Sequence, residues 1–296
     1  MDTDSLKAFL MVAEQRSFSI AAQHLHLTQP AVSKRIATLE ALLGYQLFDR
    51  MGRNIHLTEA GYRLLPRAQN ILAEIEETRR AMADLSGEVV GNLRVATSHH
   101  VGLHRLPPLL RIFASRYPNV NLQFDFLDSE QSHERVLRGD CELAVVTLAP
   151  KAPDNLKLEM IWQDPLAFVT ARDNQFSDNR ATLQQLSQQP AILPDLNTFT
   201  GRLVKACFDH HRLNLRLSMA TNYLETIKMM VSVGLGWSVL PESLVDSQLC
   251  RLEVAGVELS RKLGVVTHEK RSLSNAARAF CDLLVAEKDF LPPSGN

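Results

Sequence analysis

This sequence of 296 residues has few cysteines, few aromatic side chains and no long apolar run. Its four cysteines are far apart, and none forms a C-x-x-C pair or lies in a short Cys/His cluster, so free thiols are expected. No apolar run reaches the roughly 18–20 residues of a membrane helix, and the N-terminus lacks the basic and apolar regions of a signal peptide. The sequence therefore predicts a cytoplasmic protein with no membrane partner.

The net charge is close to zero, with a formal value of -1 at pH 7. This balance argues against a protein that coats nucleic acid over its whole surface, although it permits a local basic patch. Because 296 residues exceed what one hydrophobic core usually supports, two or more domains are expected.

The segment up to about Leu57 is predicted to form short helices. Two of them, "SFSIAAQHLHL" and "TQPAVSKRIATLEALLG", are separated only by a tight turn, and each has an apolar stripe. Thr28 is placed as the N-cap of the second helix, Pro30 lies in its first turn and Gly44 ends it. Two short helices joined in this way are typical of a helix-turn-helix.

The second of these helices has the residues of a DNA-reading element. A recognition helix points its N-terminal polar residues at bases and phosphates, while its back packs on the preceding helix. Gln29, Ser33 and Lys34 are the polar positions, and Val32 and Ile36 face inward. Gln can pair bidentately with adenine, and Ser or Lys can reach a phosphate or a base. The alternative is a helical bundle that serves only for assembly.

A long helix is predicted from Thr58 to about Ser86. Small and apolar residues recur there at alternating spacings of four and three, which is a heptad seam. The seam consists of Leu57, Gly61, Leu64, Ala68, Ile71, Ile75, Thr78, Met82 and Leu85. A seam on a solvated helix requires a partner, so dimerisation is expected. The alternative is that the helix packs on its own domain.

From Asn92 onward the pattern changes to short strands that alternate with helices. The predicted strands are "NLRVATS", "VNLQFDFL", "CELAVVT", "PLAFVTA", "AILPD" and "LRLSMAT". Such alternation predicts βαβ units with helices on both faces of a sheet. A second strand-helix series begins near "DPLAFVTARD", which favours two similar subdomains over one.

The stretch "FSIAAQHLHLTQPAVSKRIATLEALLGYQLFDR", followed by "LTEAG", resembles the N-terminal domain of LysR-type transcriptional regulators. The likeness extends through "GLGWSVLP" and the strand-helix layout, so it covers essentially the whole chain. It implies an α/β regulator in three parts. These are a winged helix-turn-helix (1–58), a linker helix that dimerises, with its hinge (59–88), and an effector domain of two α/β subdomains, like that of periplasmic binding proteins (89–296).

The same resemblance implies the partners and the DNA-binding residues. A homodimer or homotetramer is expected to bind double-stranded promoter DNA and a small-molecule effector, without enzymatic activity and without a cofactor. Gln29, Pro30, Ser33 and Lys34 correspond to positions that contact the groove or the DNA backbone, and Arg53 corresponds to the wing.

The tetrapeptide "TSHH", Thr97 to His100, follows the first strand of the effector domain and precedes its first helix. In a two-lobed domain the ligand lies between the lobes, near strand ends and helix N-termini. Ser98 and His100 can donate hydrogen bonds, and His99 or His100 would add charge if a bound carboxylate raised its pKa. The resemblance adds further residues whose polar groups suit a small polar or carboxylated molecule. These are Thr147, Thr198, Thr200, Asn222 and Tyr223.

Other interpretations of these residues stay open. A metal-responsive site would use His99, His100 and His104, but no carboxylate or cysteine joins them at a usual spacing, so no metal is predicted. Ser98 lacks the G-x-S-x-G context and the acidic partner of a nucleophile, so no catalytic residue is predicted. The histidine pair would otherwise be a helix-capping turn in water, and Thr198 would be a plain N-cap.

Overall fold

The structure is a computed structural model that describes residues 1–51, 54–83, 87–173 and 176–287. The chain forms two compact units, of which the first spans Met1–Ser86 and the second begins at Gly87. Among the helices described, none combines the length and the apolar character that crossing a membrane requires.

The first unit is a winged helix-turn-helix followed by a long helix, as the sequence predicts. Its elements are α1 (Thr3–Gln15), α2 (Phe18–His24), α3 (Gln29–Leu43), β1 (Phe48–Met51), β2 (Asn54–Leu57) and α4 (Glu59–Ala83). Strands β1 and β2 form an antiparallel pair in which Phe48 lies opposite Leu57. The predicted end of the long helix, residues 84–86, lies outside the described residues, and so does the predicted wing residue Arg53.

The boundaries of α3 follow from its own sequence. The Thr28 hydroxyl accepts a hydrogen bond from the Ala31 amide at 3.4 Å, and Pro30 lies in the first turn. Gly44 ends the helix in a left-handed conformation, with φ of 75°. Its buried face packs with α1 and α2 in a core that contains Phe9, Val32 and Ile36.

The first half of α4 packs onto its own unit. Ala68 is completely buried in the core of this unit, and Leu64 and Ile71 pack against that core. Gly61 approaches the backbone so closely that an added Cβ would lie 2.3 Å from the Leu47 carbonyl oxygen, so no larger residue fits. Packing within the domain therefore accounts for the first part of the predicted seam. Met82, near the end of α4, is 61% exposed.

The second unit is a mixed α/β structure. Its strands are β3 (Gly91–Thr97), β4 (Val120–Phe126), β5 (Leu143–Thr147), β6 (Leu156–Ala171), β7 (Arg180–Ala181), β8 (Ala191–Leu193), β9 (Leu217–Ala220), β10 (Ser238–Pro241), β11 (Leu249–Val254) and β12 (Leu259–His268). Its helices are α5 (His99–His104), α6 (Leu106–Arg116), α7 (Ser129–Arg138), α8 (Leu183–Gln188), α9 (Phe199–His210), α10 (Leu224–Ser232) and α11 (Asn275–Ala286). Eight strands form one sheet in the order β4-β3-β5-β12-β6-β11-β7, with β10 also paired to β6, and β8 and β9 form a separate parallel pair.

Two long antiparallel strands, β6 and β12, run through both subdomains of this unit. The first subdomain is built on β3, β4 and β5, and its core includes Phe113 and Phe280. The second contains β7 to β11, and its core includes Phe208 and Trp237. Both strands pass from one core to the other near Asp164 and Arg261, which lie opposite each other in the β6–β12 register. Two subdomains were predicted, and β6 and β12 are the link between them.

Candidate functional site

The N-terminal turn of α3 presents a polar edge to solvent. Gln29, Pro30 and Lys34 are exposed, and Ser33 is half-buried. The Gln29 amide nitrogen donates a hydrogen bond to the Ser33 hydroxyl at 2.8 Å, which restrains both side chains on the same helix face. Four of the five predicted DNA-binding residues thus lie within the first two turns of α3. The fifth, Arg53, is outside the described residues.

All eight residues predicted to bind an effector line one cleft of the second unit, with a volume of about 260 Å³. The first subdomain contributes Ser98, His99, His100 and Thr147, and the second contributes Thr198, Thr200, Asn222 and Tyr223. The cleft therefore lies between the two subdomains. Its wall also includes Asp128, Glu130 and Arg261, none of which was predicted.

Arg261, which lines the cleft, belongs to a buried ionic trio with Arg105 and Asp164. Asp164 has a side chain that is 1% exposed, and it accepts hydrogen bonds from Arg105 at 3.2 Å and from Arg261 at 2.8 Å. The two guanidinium groups are themselves 8% and 9% exposed. Two positive charges and one negative charge leave this trio with a net charge of about +1, because arginine stays protonated in proteins.

Arg261 connects the trio to the cleft. Its Nη1 donates a hydrogen bond to the Thr200 hydroxyl at 2.9 Å. Its Nη2 is buried and has no hydrogen-bond partner among the described residues. A buried donor without an acceptor destabilises the structure by about 1–3 kcal/mol, and more when it is charged, so this atom favours an incoming acceptor.

His100 lies beside the trio and is 5% exposed. Neither ring nitrogen has a hydrogen-bond partner in the part of the chain that the structure describes. Burial, followed by the charge of Arg261, lowers the pKa of His100 to about 2, so the ring is neutral at physiological pH. The ring of His100 therefore adds no positive charge here, and the expectation that a bound carboxylate would raise its pKa stays a prediction.

The two flanking histidines have different environments. The His99 ring packs against Phe126 and Tyr223, with centroids 5.3 Å and 4.7 Å away. His104 bonds instead to Glu225 of α10, with 2.6 Å between Nε2 and Oε1, and this bond lowers the pKa of the Glu225 carboxyl. Among the described residues, the side chain that lies with His100 and His104 at metal-ligand distances is Glu225, whereas His99, the third histidine of the alternative metal set, packs on the aromatic wall.

Some predicted residues already have structural partners. Thr198 caps α9: its hydroxyl donates to the Asp195 carbonyl at 2.7 Å and accepts from the Gly201 amide at 3.0 Å. Asn222 donates to Asp128 across the cleft at 2.7 Å. The plain N-cap interpretation is thus correct for Thr198, and Asn222 links the subdomains.

A carboxylate of the first subdomain reaches the start of α9. Glu130, on α7, accepts a hydrogen bond from the Phe199 amide and lies 3.5 Å from an Arg202 nitrogen. Burial raises the pKa of Glu130. With Asn222–Asp128 and His104–Glu225, it forms a set of polar contacts that hold the two subdomains together around the cleft.

Two family models match the chain. The one described as "Bacterial regulatory helix-turn-helix protein, lysR family" matches residues 3–62, and "LysR substrate binding domain" matches residues 86–289. The "HTH-type transcriptional activator CmpR" of Synechocystis sp. is 30% identical over 291 residues, which cover 96% of this chain and 94% of that protein. An "Uncharacterized HTH-type transcriptional regulator in ibpB-leuC intergenic region" of Azotobacter vinelandii is 64% identical over 108 residues, which are 36% of this chain and 75% of that protein.

Solved structures share the fold. CbnR, crystallised as the full-length protein with its target DNA, superposes with a TM-score of 0.65 at 22% identity, over 97% of this chain and 100% of that chain. The regulatory domain of CcmR from Synechocystis PCC6803, in complex with 2-PG, gives a TM-score of 0.62 at 24% identity, over 68% of this chain and 99% of that chain.

Proposed function

The chain belongs to the LysR family of transcriptional regulators, and from that premise we propose that it reads promoter DNA with α3 as a dimer or tetramer. We propose further that a small carboxylate controls it by binding in the cleft of the second unit. Membership of this family makes the chain a DNA-binding regulator and not an enzyme.

The unpartnered Nη2 of Arg261, in a buried trio with one positive charge in excess, is the observation that carries the carboxylate proposal. A buried charge is costly unless it is paired and hydrogen-bonded. The trio of Arg105, Asp164 and Arg261 has one positive charge in excess, and Nη2 of Arg261 lacks a partner among the described residues. A carboxylate at this point would neutralise the charge and accept from the planar guanidinium fork. The Thr200 hydroxyl accepts a hydrogen bond from the same guanidinium group, so the carboxylate would bind next to Thr200.

The size of the cleft limits the ligand to a small metabolite. Pockets for drug-sized ligands have roughly 300–1,000 Å³, and this cleft has about 260 Å³. The solved complex of the CcmR regulatory domain with 2-PG supports a small-molecule ligand in this fold.

Control requires that the ligand bind one arrangement of the subdomains better than another. The polar contacts of Glu130 and Asn222 cross the cleft, so closure around a ligand would strengthen or rearrange them. In a dimer, a change of this kind alters the spacing of two DNA-reading helices and hence the half-sites that fit. Self-association is supported by the C-terminal half of α4, where Met82 is exposed.

The effector proposal predicts stabilisation by specific acids. The full-length protein should show a higher melting temperature with one or a few members of a panel of mono- and dicarboxylates, amino acids and aromatic acids, with 2-PG included. At 100 times its Kd a ligand adds about 2.7 kcal/mol, which is roughly 5–10 °C for a unit of this size. Matched amides or alcohols, which lack the charge, should give no shift. A flat response to every acid would remove the support for a carboxylate effector.

The DNA proposal predicts two separable effects on α3. Gln29→Ala and Ser33→Ala should each lower the ratio of specific to random binding, because a good bidentate base contact discriminates by about 1–3 kcal/mol. Lys34→Ala is the matched contrast on the same helix: it should weaken both kinds of binding and reduce the slope of log K against log salt by about 1. Mobility-shift titrations with promoter fragments and scrambled competitor measure both. Equal losses on both DNAs for all three variants would contradict the assignment of the groove-reading edge.

A further inference from the structure

Three side chains able to bind a metal ion, one of which lines the cleft, lie close together in the second unit. We propose that His100, His104 and Glu225 bind a divalent transition-metal ion of the Zn²⁺, Co²⁺, Ni²⁺ or Fe²⁺ class. The ion would connect α5 of the first subdomain to α10 of the second. This site shares His100 with the cleft, but its other two ligands, His104 and Glu225, do not belong to the set of predicted effector residues.

The three side chains are close enough to share an ion. One ligand atom from each of the three residues lies within 4.8 Å of the others. An ion about 2.1 Å from each ligand holds neighbouring ligands roughly 3.0–3.5 Å apart. The His104–Glu225 pair, now 2.6 Å apart, must therefore open slightly, and the widest pair must close by about 1.5 Å. The side chains of His104 and Glu225 are 30% and 39% exposed, so both have room to rotate.

His100 provides the independent observation that a ligand is missing. A buried imidazole normally has a hydrogen-bond partner, because an orphaned polar group destabilises the fold. His100 is 5% exposed, and neither ring nitrogen has a partner among the described residues. A metal ion would satisfy one nitrogen. The other would then be a donor, and Asp164 Oδ2, 3.9 Å from Nε2, is the nearby carboxylate that orients such a ring.

The donor set determines the class of ion. Imidazole suits zinc, iron, nickel and copper, whereas magnesium and calcium prefer oxygen ligands. Two histidines and one carboxylate are the protein ligands of sites that keep an open position. The ion and Glu225 together carry about one positive charge, so water or an anion in the cleft would complete the coordination.

The sequence alone indicates the two histidine ligands but not the carboxylate. His100 and His104 are four residues apart on α5, a spacing that puts both on one helix face. Their rings are 5.1 Å apart. The carboxylate comes from a residue 121 positions later in the chain, so no spacing rule would have found it.

Direct ion binding to the metal-stripped full-length protein tests the proposal. Co²⁺ is titrated while its visible absorption is followed, and Zn²⁺ is then used as a competitor. One ion per chain should bind, with a spectrum typical of mixed nitrogen and oxygen ligands. His104→Gln and Glu225→Gln should each weaken the affinity by about 100-fold or more, since even outer-shell changes cost 10–100-fold.

Two histidine variants serve as controls. His99→Gln changes the neighbouring ring, which packs on Phe126 and Tyr223, and His210→Gln removes an exposed imidazole of α9. Both should bind the ion within about twofold of the parent protein. Melting temperatures without metal establish that the ligand variants are folded. Equal affinity in the parent and all four variants, or weakening only in the two controls, would overturn the site.

Discussion

Asp164→Asn is expected to destabilise the second unit by about 3–5 kcal/mol, the range for breaking a buried ion pair. Asp164 is 1% exposed and is the carboxylate on which both Arg105 and Arg261 converge. The amide removes the negative charge but keeps the shape, so two buried guanidinium groups lose their counter-charge at the point where β6 and β12 pass between the subdomains. The loss should appear as a lower midpoint of urea denaturation.

Tryptophan fluorescence makes that measurement specific. The chain has 2 tryptophans, Trp162 and Trp237, and both lie in the second unit. The transition that they report is therefore that of the unit containing Asp164. Glu253→Gln is the matched control, because it removes the carboxylate of a pair with Arg180 whose side chains are 69% and 73% exposed. Exposed pairs contribute about 0–1 kcal/mol, so this variant should unfold at nearly the parental midpoint.

A double variant tests the charge explanation itself. Asp164→Asn combined with Arg261→Gln returns the buried charge to about +1, because Arg105 alone remains. If the excess charge causes the instability, the double variant should be more stable than Asp164→Asn alone, a coupling that a double-mutant cycle measures directly. Additive losses would attribute the effect to lost hydrogen bonds instead.

The sequence predicted the first unit well because its signals are local. Thr28, Pro30 and Gly44 mark the ends of α3 through backbone chemistry that depends on neighbours in the chain. The long helix begins within one residue of its expected start. The heptad seam was less informative, since helical spacing does not reveal whether a partner is another chain or the same domain. Leu64 and Ala68 face their own core.

The second unit was predicted only in part. The unpredicted residues Asp164 and Arg261 lie on strands that were not predicted in full. The first half of β6 and all of β7, β10, β11 and β12 were not predicted. The first five residues of "LKLEMIWQD" alternate apolar and polar side chains, which is a short strand signal. Because Asp164 and Arg261 lie on β6 and β12, their pairing across 97 residues could not be anticipated.

Ser98, His99 and His100 were predicted from the position of "TSHH" between a strand and a helix, and the other five cleft residues from the resemblance to LysR-type regulators. The eight predicted residues come from four separate stretches of sequence, and the fold brings all of them to one surface. Their chemistry was harder to predict. Burial determines that chemistry: the buried His100 is neutral, whereas the more exposed His104 is hydrogen-bonded to a carboxylate. Burial is a property of the packed structure and has no local sequence signature.

Arg261→Gln is expected to weaken binding of the effector carboxylate by roughly 30-fold or more, because truncating a buried, hydrogen-bonded charge pair costs about 2–5 kcal/mol. The acid that most raises the melting temperature of the parent protein is the ligand to titrate, by calorimetry. The variant should lose less stability than Asp164→Asn, since Arg105 and Asp164 remain as a neutral pair.

Arg261→Lys separates charge from shape. Lysine keeps the positive charge but lacks the planar fork that binds a carboxylate with two parallel bonds and reaches Thr200 at the same time. Its affinity should therefore fall between those of the parent and of Arg261→Gln. If Arg261→Gln bound the acid as tightly as the parent, the carboxylate would have to lie elsewhere in the cleft, and the unpartnered Nη2 would have no role in recognition. If Lys matched the parent while Gln did not, the charge alone would account for binding and the bidentate geometry would be rejected.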